Sequence, residues 1–367
     1  MSLIVISFDG VTDKEFEKMA GDAGKYPSIA AFMSASQYTG GVPTLFVSNT
    51  YPIHTSISTG KLPTQHGVVS NLLGQNAQGH DIWAQDSSLI KTKTIFDACN
   101  EKGLKAGTIA WPVTCNAKIK WNLPEVHILP GQSRLLEQMR RGSPLFQIAS
   151  FLRHKNKLKG IMEPELDDFL TSVAVDLLKQ KKPDLTMLHL LAYDSIRHES
   201  GLSPNLDIAR ASLDTNLGRV MAAAPADAAI IIFSDHGHID VEQTIDLEAI
   251  YGQSLYEQCS GSAFFTHPIE DIEGQPWFGR LLNAQELSSS GYSTRASFGV
   301  AAKPGFCFGK SKYAANHGYP TDYDDYNVFY AIKNNRQSTA HLPFNDIRNV
   351  TALIARELDL DMDLGDD

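Results

Sequence analysis

The sequence predicts a doubly wound α/β fold, with a mainly parallel central sheet and helices on both faces. Three observations carry this. Short apolar runs recur at residues 3–8 (LIVISF), 106–111 (AGTIAW), 185–191 (LTMLHLL), 229–234 (AIIIFS) and 328–332 (VFYAI). They lack polar alternation, so each reads as a strand covered on both faces. Helical patterns fall between them, at 94–102, 165–180, 205–223 and 346–358. That alternation is the signature of a layered α/β domain. Finally, three runs end in polar groups: Phe8-Asp9-Gly10, Leu191 to Asp194, and Phe233-Ser234-Asp235-His236. In open α/β sheets ligands sit beyond the carboxyl ends of strands, so these acids converge on one crevice.

The 367 residues are expected to form a single catalytic domain, 1–367, with insertions or a small cap at 119–164 and 250–305. Those two stretches are rich in Gly, Ser and Pro and read as irregular. There is no internal repeat and no low-complexity tract.

Net charge is −10 and the pI is near 5.6, which excludes duplex nucleic acid as a resting partner. A small anionic substrate stays open, because bound cations reverse the local sign. Cys99, Cys115, Cys259 and Cys307 are scattered without a CxxC pair, as in a cytosolic protein with reduced thiols. The start, MSLIVISFDG, has no basic region ahead of its short apolar run. No stretch approaches the roughly 18 apolar residues of a membrane span. A soluble, cytoplasmic chain with no membrane partner is expected. The sequon at Asn349-Val350-Thr351 has no meaning without secretion.

The chemistry is read from acids and imidazoles. Asp194 and His198 lie four apart in YDSIRHESG, so one helical turn puts both on one face. Asp235 and His236 are adjacent in SDHGH, Asp9 closes the first strand, and His317 precedes a Gly-Tyr-Pro turn. Three carboxylates and three imidazoles form a mixed nitrogen and oxygen set that suits Zn²⁺ or Mn²⁺. Two ions about 4 Å apart could share them and stabilise both oxygens of an in-line displacement. Each member alone has a plainer reading: Asp9 as a helix cap, Asp194 and His198 as a surface pair. SDHGH is sharper, since two ionisable neighbours ending a buried strand need partners or a metal.

Thr50 stands in VSNTYPIHTSISTG, two residues before Pro52. A hydroxyl is a weak nucleophile that needs a base or a metal, and no base neighbours it in sequence. With Pro52 in the first turn of a helix, free N–H groups there would face a phosphate. Capping that helix is the plain role for Thr50, and it could coexist with attack.

This constellation resembles the alkaline phosphatase superfamily, and within it the type I phosphodiesterase/nucleotide pyrophosphatase family. SFDG, NTYPIHTSISTG with LPTQHGVVSN, Trp111-Pro112, DxxxHxxG at 194–201, SDHG and a late NHGY follow in order over nearly the whole chain. The resemblance implies an alkaline-phosphatase-like fold and two divalent ions, most often Zn²⁺. It implies Thr50 as nucleophile, and Asn71 as the amide that holds a phosphate oxygen. Asp9, Thr50, Asp235 and His236 correspond to one metal site, and Asp194, His198 and His317 to the other. Ile53, Asn49 and Arg197 depart from the pattern, standing where Asn, Lys and Gly are common; they touch substrate choice, not the metal set. Tyr51 reads equally as a stacking surface for substrate and as packing. His66 and His238 read as residues behind the ligands, and His54 and His189 as structural.

The implied reaction is a double displacement on a small phosphate ester or nucleotide, through a phospho-threonine. Phosphodiester or nucleotide pyrophosphate cleavage leads. C–P hydrolysis, as in phosphonoacetate hydrolases, is the first rival; it would need a cation near Thr50, with Lys120, Arg134, Arg140 and Arg141 as candidates. A non-catalytic metal-binding protein is the rival of another class.

Overall fold

The computed structural model describes residues 2–158, 164–324, 326–334 and 342–364. Eleven strands matter here. They are β1 (Leu3–Phe8), β2 (Gln37–Val42), β3 (Ala106–Ile109), β4 (Trp121–Leu123), β5 (Leu185–Leu190) and β6 (Ala229–Phe233). Then follow β7 (Leu255–Cys259), β8 (Ser262–Phe265), β9 (Phe278–Leu281), β10 (Phe298–Ala302) and β11 (Val328–Lys333). A seven-stranded sheet runs in the order β2–β11–β6–β1–β5–β3–β4. Its centre is parallel, and β11 lies antiparallel between β6 and β2.

The helices that flank it are α1 (Asp13–Ala20), α2 (Pro27–Ser34), α3 (Thr50–Thr59), α4 (Ile95–Glu101) and α5 (Arg134–Arg141). The remainder are α6 (Pro144–His154), α7 (Glu165–Asp176), α8 (Ala192–Ser200), α9 (Leu206–Ala223) and α10 (Asn349–Leu358). The period-2 geometry of a strand divides β1 between two cores. Ile4, Ile6 and Phe8 face Phe16, Phe32, Val173 and Leu213 from α1, α2, α7 and α9. Leu3 and Val5 face Ile53, Ile57, Cys99 and Val350 from α3, α4 and α10. This double burial is why the strand carries no polar alternation. Among the described residues no helix is long and apolar enough to cross a membrane.

Register gathers the chemistry. Ser7 pairs with His189 on one side and Phe233 on the other, so β5, β1 and β6 end level. Asp9, Asp194 and Asp235 therefore leave the sheet at one edge. His317 arrives through a separate small sheet: Ala315–Asn316 pairs antiparallel with Asp240 and Ile239. That pairing sets His317 beside the SDHGH loop from which the residue 239 strand departs.

The two stretches read as irregular are ordered. Residues 119–158 add β4 to the sheet edge and build α5 and α6, while 159–163 lie outside the described residues. Residues 255–302 form a four-stranded antiparallel sheet, β7–β8–β10–β9, with a core of Ala263, Phe265, Trp277 and Val300.

Helix α8, which carries Asp194 and His198, is held at its start by Asp167. This buried carboxylate accepts from the N–H groups of Leu191 and Ala192, each at 3.0 Å. Burial pushes its pKa up to about 6 against the pull of those bonds. Asp167→Ala would strand two donors, at about 1–3 kcal/mol by the usual cost of unmade buried hydrogen bonds. A lowered melting temperature checks this; an unchanged one shows that the clamp is idle.

Candidate active site

Helix α3 begins at Thr50, with Asn49 as the capping residue. Asn49 makes no side-chain capping bond, its Oδ1 lying 3.1 Å from His317 Nδ1, and the Thr50 hydroxyl is turned away from the helix end. Its Oγ1 lies 3.2 Å from His236 Nε2. That same nitrogen is 3.4 Å from Asp9 Oδ1 and 3.4 Å from Asp235 Oδ2. Both carboxylate oxygens are buried and without a hydrogen-bond partner among the described residues. Four ligands about 2.0–2.2 Å from one tetrahedral ion stand roughly 3.3–3.6 Å apart. The spacing and the two orphaned anionic oxygens both fit a divalent cation held by Asp9, Thr50, Asp235 and His236.

The second group is Asp194, His198 and His317, whose candidate ligand atoms lie within 4.8 Å of one another. His198 Nε2 is 3.3 Å from Asp194 Oδ1, and that oxygen too is buried without a partner among the described residues. The tautomers are set from behind. His198 Nδ1 donates to the Ala315 carbonyl at 2.8 Å, and His317 Nδ1 to the Ser48 carbonyl at 3.0 Å, with Asn49 Oδ1 at 3.1 Å. A carbonyl can only accept, so each Nδ1 carries the proton and each Nε2 offers a lone pair to the centre. That is how metal-binding histidines are oriented. The rings of His236 and His317 stack with centroids 4.0 Å apart, which ties the two groups into one centre.

Electrostatics agree. Burial, then Asp235 and Asp194, raises the Asp9 pKa well above the usual carboxylate range, and outweighs the pull of His189. Burial works to raise Asp194 as well, but His198 and His238 outweigh it and hold that carboxyl well below its usual range. Burial drives His236 down to about 3, and burial with His236 and His198 drives His317 well down. Neutral imidazoles at His236 and His317 are the state in which a metal is bound; at His198 Asp194 outweighs burial and raises the pKa.

Comparison with known proteins places this geometry. The family model for type I phosphodiesterase / nucleotide pyrophosphatase matches residues 3–285. The chain belongs to that family. Among solved structures, murine ectonucleotide pyrophosphatase/phosphodiesterase 5 superposes with a TM-score of 0.68 at 16% identity, covering 100% of this chain and 97% of that one. An inactive variant of the murine enzyme in complex with AMP gives 0.69 at 16%, with the same coverage. Phosphonoacetate hydrolase from Sinorhizobium meliloti, in complex with phosphonoformate, gives 0.69 at 15%, covering 97% of this chain and 95% of that one. This phosphodiesterase-family chain therefore has the alkaline-phosphatase-like fold, and its class is that of hydrolases.

Two features of this family member were not legible in its sequence. His189, in the middle of β5, places Nε2 2.9 Å from Asp9 Oδ2, while Nδ1 faces the Ala110 carbonyl at 3.2 Å. Burial opposes its charge, but Asp9 and Glu125 outweigh burial and raise its pKa well above the usual value. Glu125 in turn bonds His127 at 2.8 Å and is held at about 2 by His127 and His189, against burial. His189 is thus a buried cation that aligns the second oxygen of Asp9. His54, also read as structural, bonds the Thr50 carbonyl at 2.8 Å and Ser7 Oγ at 2.9 Å behind Thr50. His66 bonds Ser56 and stays away from the centre.

Other expected residues divide. Asn71 Oδ1 accepts from the N–H of Tyr51, the residue after Thr50, at 2.9 Å, which leaves its amide NH₂ to donate elsewhere. The same bond uses up an N–H of α3 that the sequence reading offered to phosphate. Tyr51 itself is 1% exposed, packed with Val68, Ala84 and Val113 under Trp83. No face of its ring is open to solvent. Trp83 and His127 stack on each other with centroids 3.7 Å apart. Arg197 turns from the centre to pair with Asp240 at 2.6 Å.

Proposed function

We propose that the chain hydrolyses phosphodiester or nucleotide pyrophosphate bonds in two displacements through a phospho-threonine on Thr50. The observation that carries this is the Thr50 hydroxyl set among His236, Asp9 and Asp235, with orphaned carboxylate oxygens around it. His236 is too weak a base at about 3 to activate that hydroxyl alone. Two divalent ions, Zn²⁺ by the donor set, would supply the positive charge that stabilises the alkoxide and the phosphoryl oxygens.

The residues divide the remaining work. Thr50 Oγ attacks phosphorus, the bond to the leaving alcohol or nucleotide breaks, and the departing oxygen takes a proton. The Asn71 amide holds a phosphoryl oxygen in line. Asp9, steadied by His189, and Asp235 fix the nucleophile's surroundings. Water then attacks the phosphorus of phospho-Thr50 on the side of Asp194, His198 and His317, and frees the hydroxyl. Most of the rate enhancement is electrostatic positioning.

The AMP complex of the murine relative supports a nucleotide product, and a nucleophilic Thr suits diesters. The C–P reading is weaker in this chain, because three of its four proposed carboxylate partners are engaged elsewhere. Arg140 and Arg141 pair with Glu137, and Lys120 lies over the Trp121 ring. Four free, buried thiols favour a reducing compartment for the protein.

Turnover of p-nitrophenyl thymidine monophosphate, p-nitrophenyl phosphate and phosphonoacetate, each with and without chelator, tests the reading. Chelator-sensitive diesterase activity is expected to exceed the other two. Preferred release of phosphate from phosphonoacetate would overturn the substrate class. Asn71→Ala is expected to lower kcat about 10²–10³-fold, the usual loss for one donor to a developing oxyanion. Unchanged kcat would remove Asn71 from the phosphate site.

A further inference from the structure

His238 follows the SDHG motif directly, and the geometry points to a role that its sequence position does not give it. Its side chain is 2% exposed. Nδ1 meets the Gly10 carbonyl at 3.2 Å, so Nδ1 bears the proton and Nε2 the lone pair. Nε2 faces Asp194 Oδ1 at 2.9 Å, yet neither atom has a hydrogen-bond partner among the described residues. Two acceptors pressed together in a buried place repel unless a cation lies between them. His198 stands in the same relation to the same oxygen, at 3.3 Å, with its Nδ1 likewise donating to a backbone carbonyl.

The surroundings are built for this ring. The His238 ring centroid is 5.0 Å from that of His198, 5.5 Å from His236 and 5.8 Å from His317. Gly10 sits at φ +73° and donates to Asp235 Oδ1 at 3.1 Å; a Cβ there would stand 2.3 Å from the His238 ring. A side chain at position 10 is thus excluded by both the backbone conformation and the imidazole.

We propose that His238 is a further metal ligand, sharing a cation with Asp194: the ligand atoms of Asp194, His236 and His238 lie within 4.8 Å of one another, as do those of Asp194, His198 and His317. This rests on the two-ion reading above and deepens it.

The full chain is loaded with Co²⁺ as probe, and wild type is compared with His238→Met and His238→Gln. Gln can still donate to Asp194, so it separates a ligand from a brace. Bound metal per chain is counted after dialysis against graded chelator, and hyperfine-shifted imidazole N–H resonances are counted by NMR. The far-ultraviolet spectrum of each apo-variant checks folding. The expected result is a loss of one shifted imidazole and at least a tenfold weaker second ion in both variants. Wild-type affinity and spectrum in His238→Gln would overturn the proposal and leave His238 a brace for Asp194. Wild-type behaviour in both variants would also overturn it, with the two-ion reading intact. Failure of the wild type itself to bind Co²⁺ or Zn²⁺ would remove both.

Discussion

Thr50→Ala is expected to reduce turnover of a diester by at least about 10³-fold, because nothing else near the phosphorus can form the covalent intermediate. The substitution removes one oxygen and no charge. Asp9, Asp235 and His236 remain to hold their ion, and the Asp194 group is untouched, so metal content should stay near that of wild type. The loss would then belong to chemistry and not to assembly. Acid-quenching the wild type with phosphorus-labelled substrate should trap label on Thr50, and the variant should trap none. Activity retained in Thr50→Ala would show that water attacks the ester directly, and the double displacement would fall. The nearby hydroxyls cannot substitute: Thr55 and Thr59 bond back to carbonyls of α3, and Ser56 bonds His66.

What the sequence revealed follows from where its constraints are local. The runs at β1, β5 and β6 were legible because strands buried on both faces must be apolar throughout, and their ends marked the crevice. His189 was hidden by the same rule. Inside LTMLHLL it reads as a packed residue, and only its register opposite Ser7 brings it to Asp9. His238 looked like a follower of a motif, since the Gly10 carbonyl that fixes its tautomer is 228 positions away. The four-stranded sheet at β7–β10 was missed because its strands are short and two contain glycine, as in FGRL and FGVAA. Helix α6 escaped for another reason: its polarity is reversed. Gln147 and Ser150 are buried, while Leu145 is 85% and Leu152 61% exposed. A pattern read for an inward apolar face finds nothing there.

Stripping the metal should abolish activity and also change how stability depends on pH. Without cations, Asp9 is raised by burial and by its acidic neighbours, and His189 and His198 are raised by the acids beside them, against burial. In all three the folded chain binds its proton more tightly than the unfolded chain. Each therefore contributes stability that is full below the unfolded pKa and is lost as pH rises through the folded one. Buried neutral histidines act oppositely: His54, His66 and His236, lowered by burial to about 3, gain stability as pH rises toward the unfolded value. Above about pH 6.5 they are neutral in both states and drop out. The apo-protein should thus lose stability from about pH 6.5 upward. An ion present at 1,000 times its Kd restores about 4 kcal/mol, and two such ions should lift the melting temperature by roughly ten degrees or more. Thermal melts from pH 6.5 to 8.5, with chelator and with Zn²⁺, measure both effects. Identical melting curves in the two conditions at pH 8 would mean that Asp9, Asp194 and Asp235 crowd together for some reason other than holding cations.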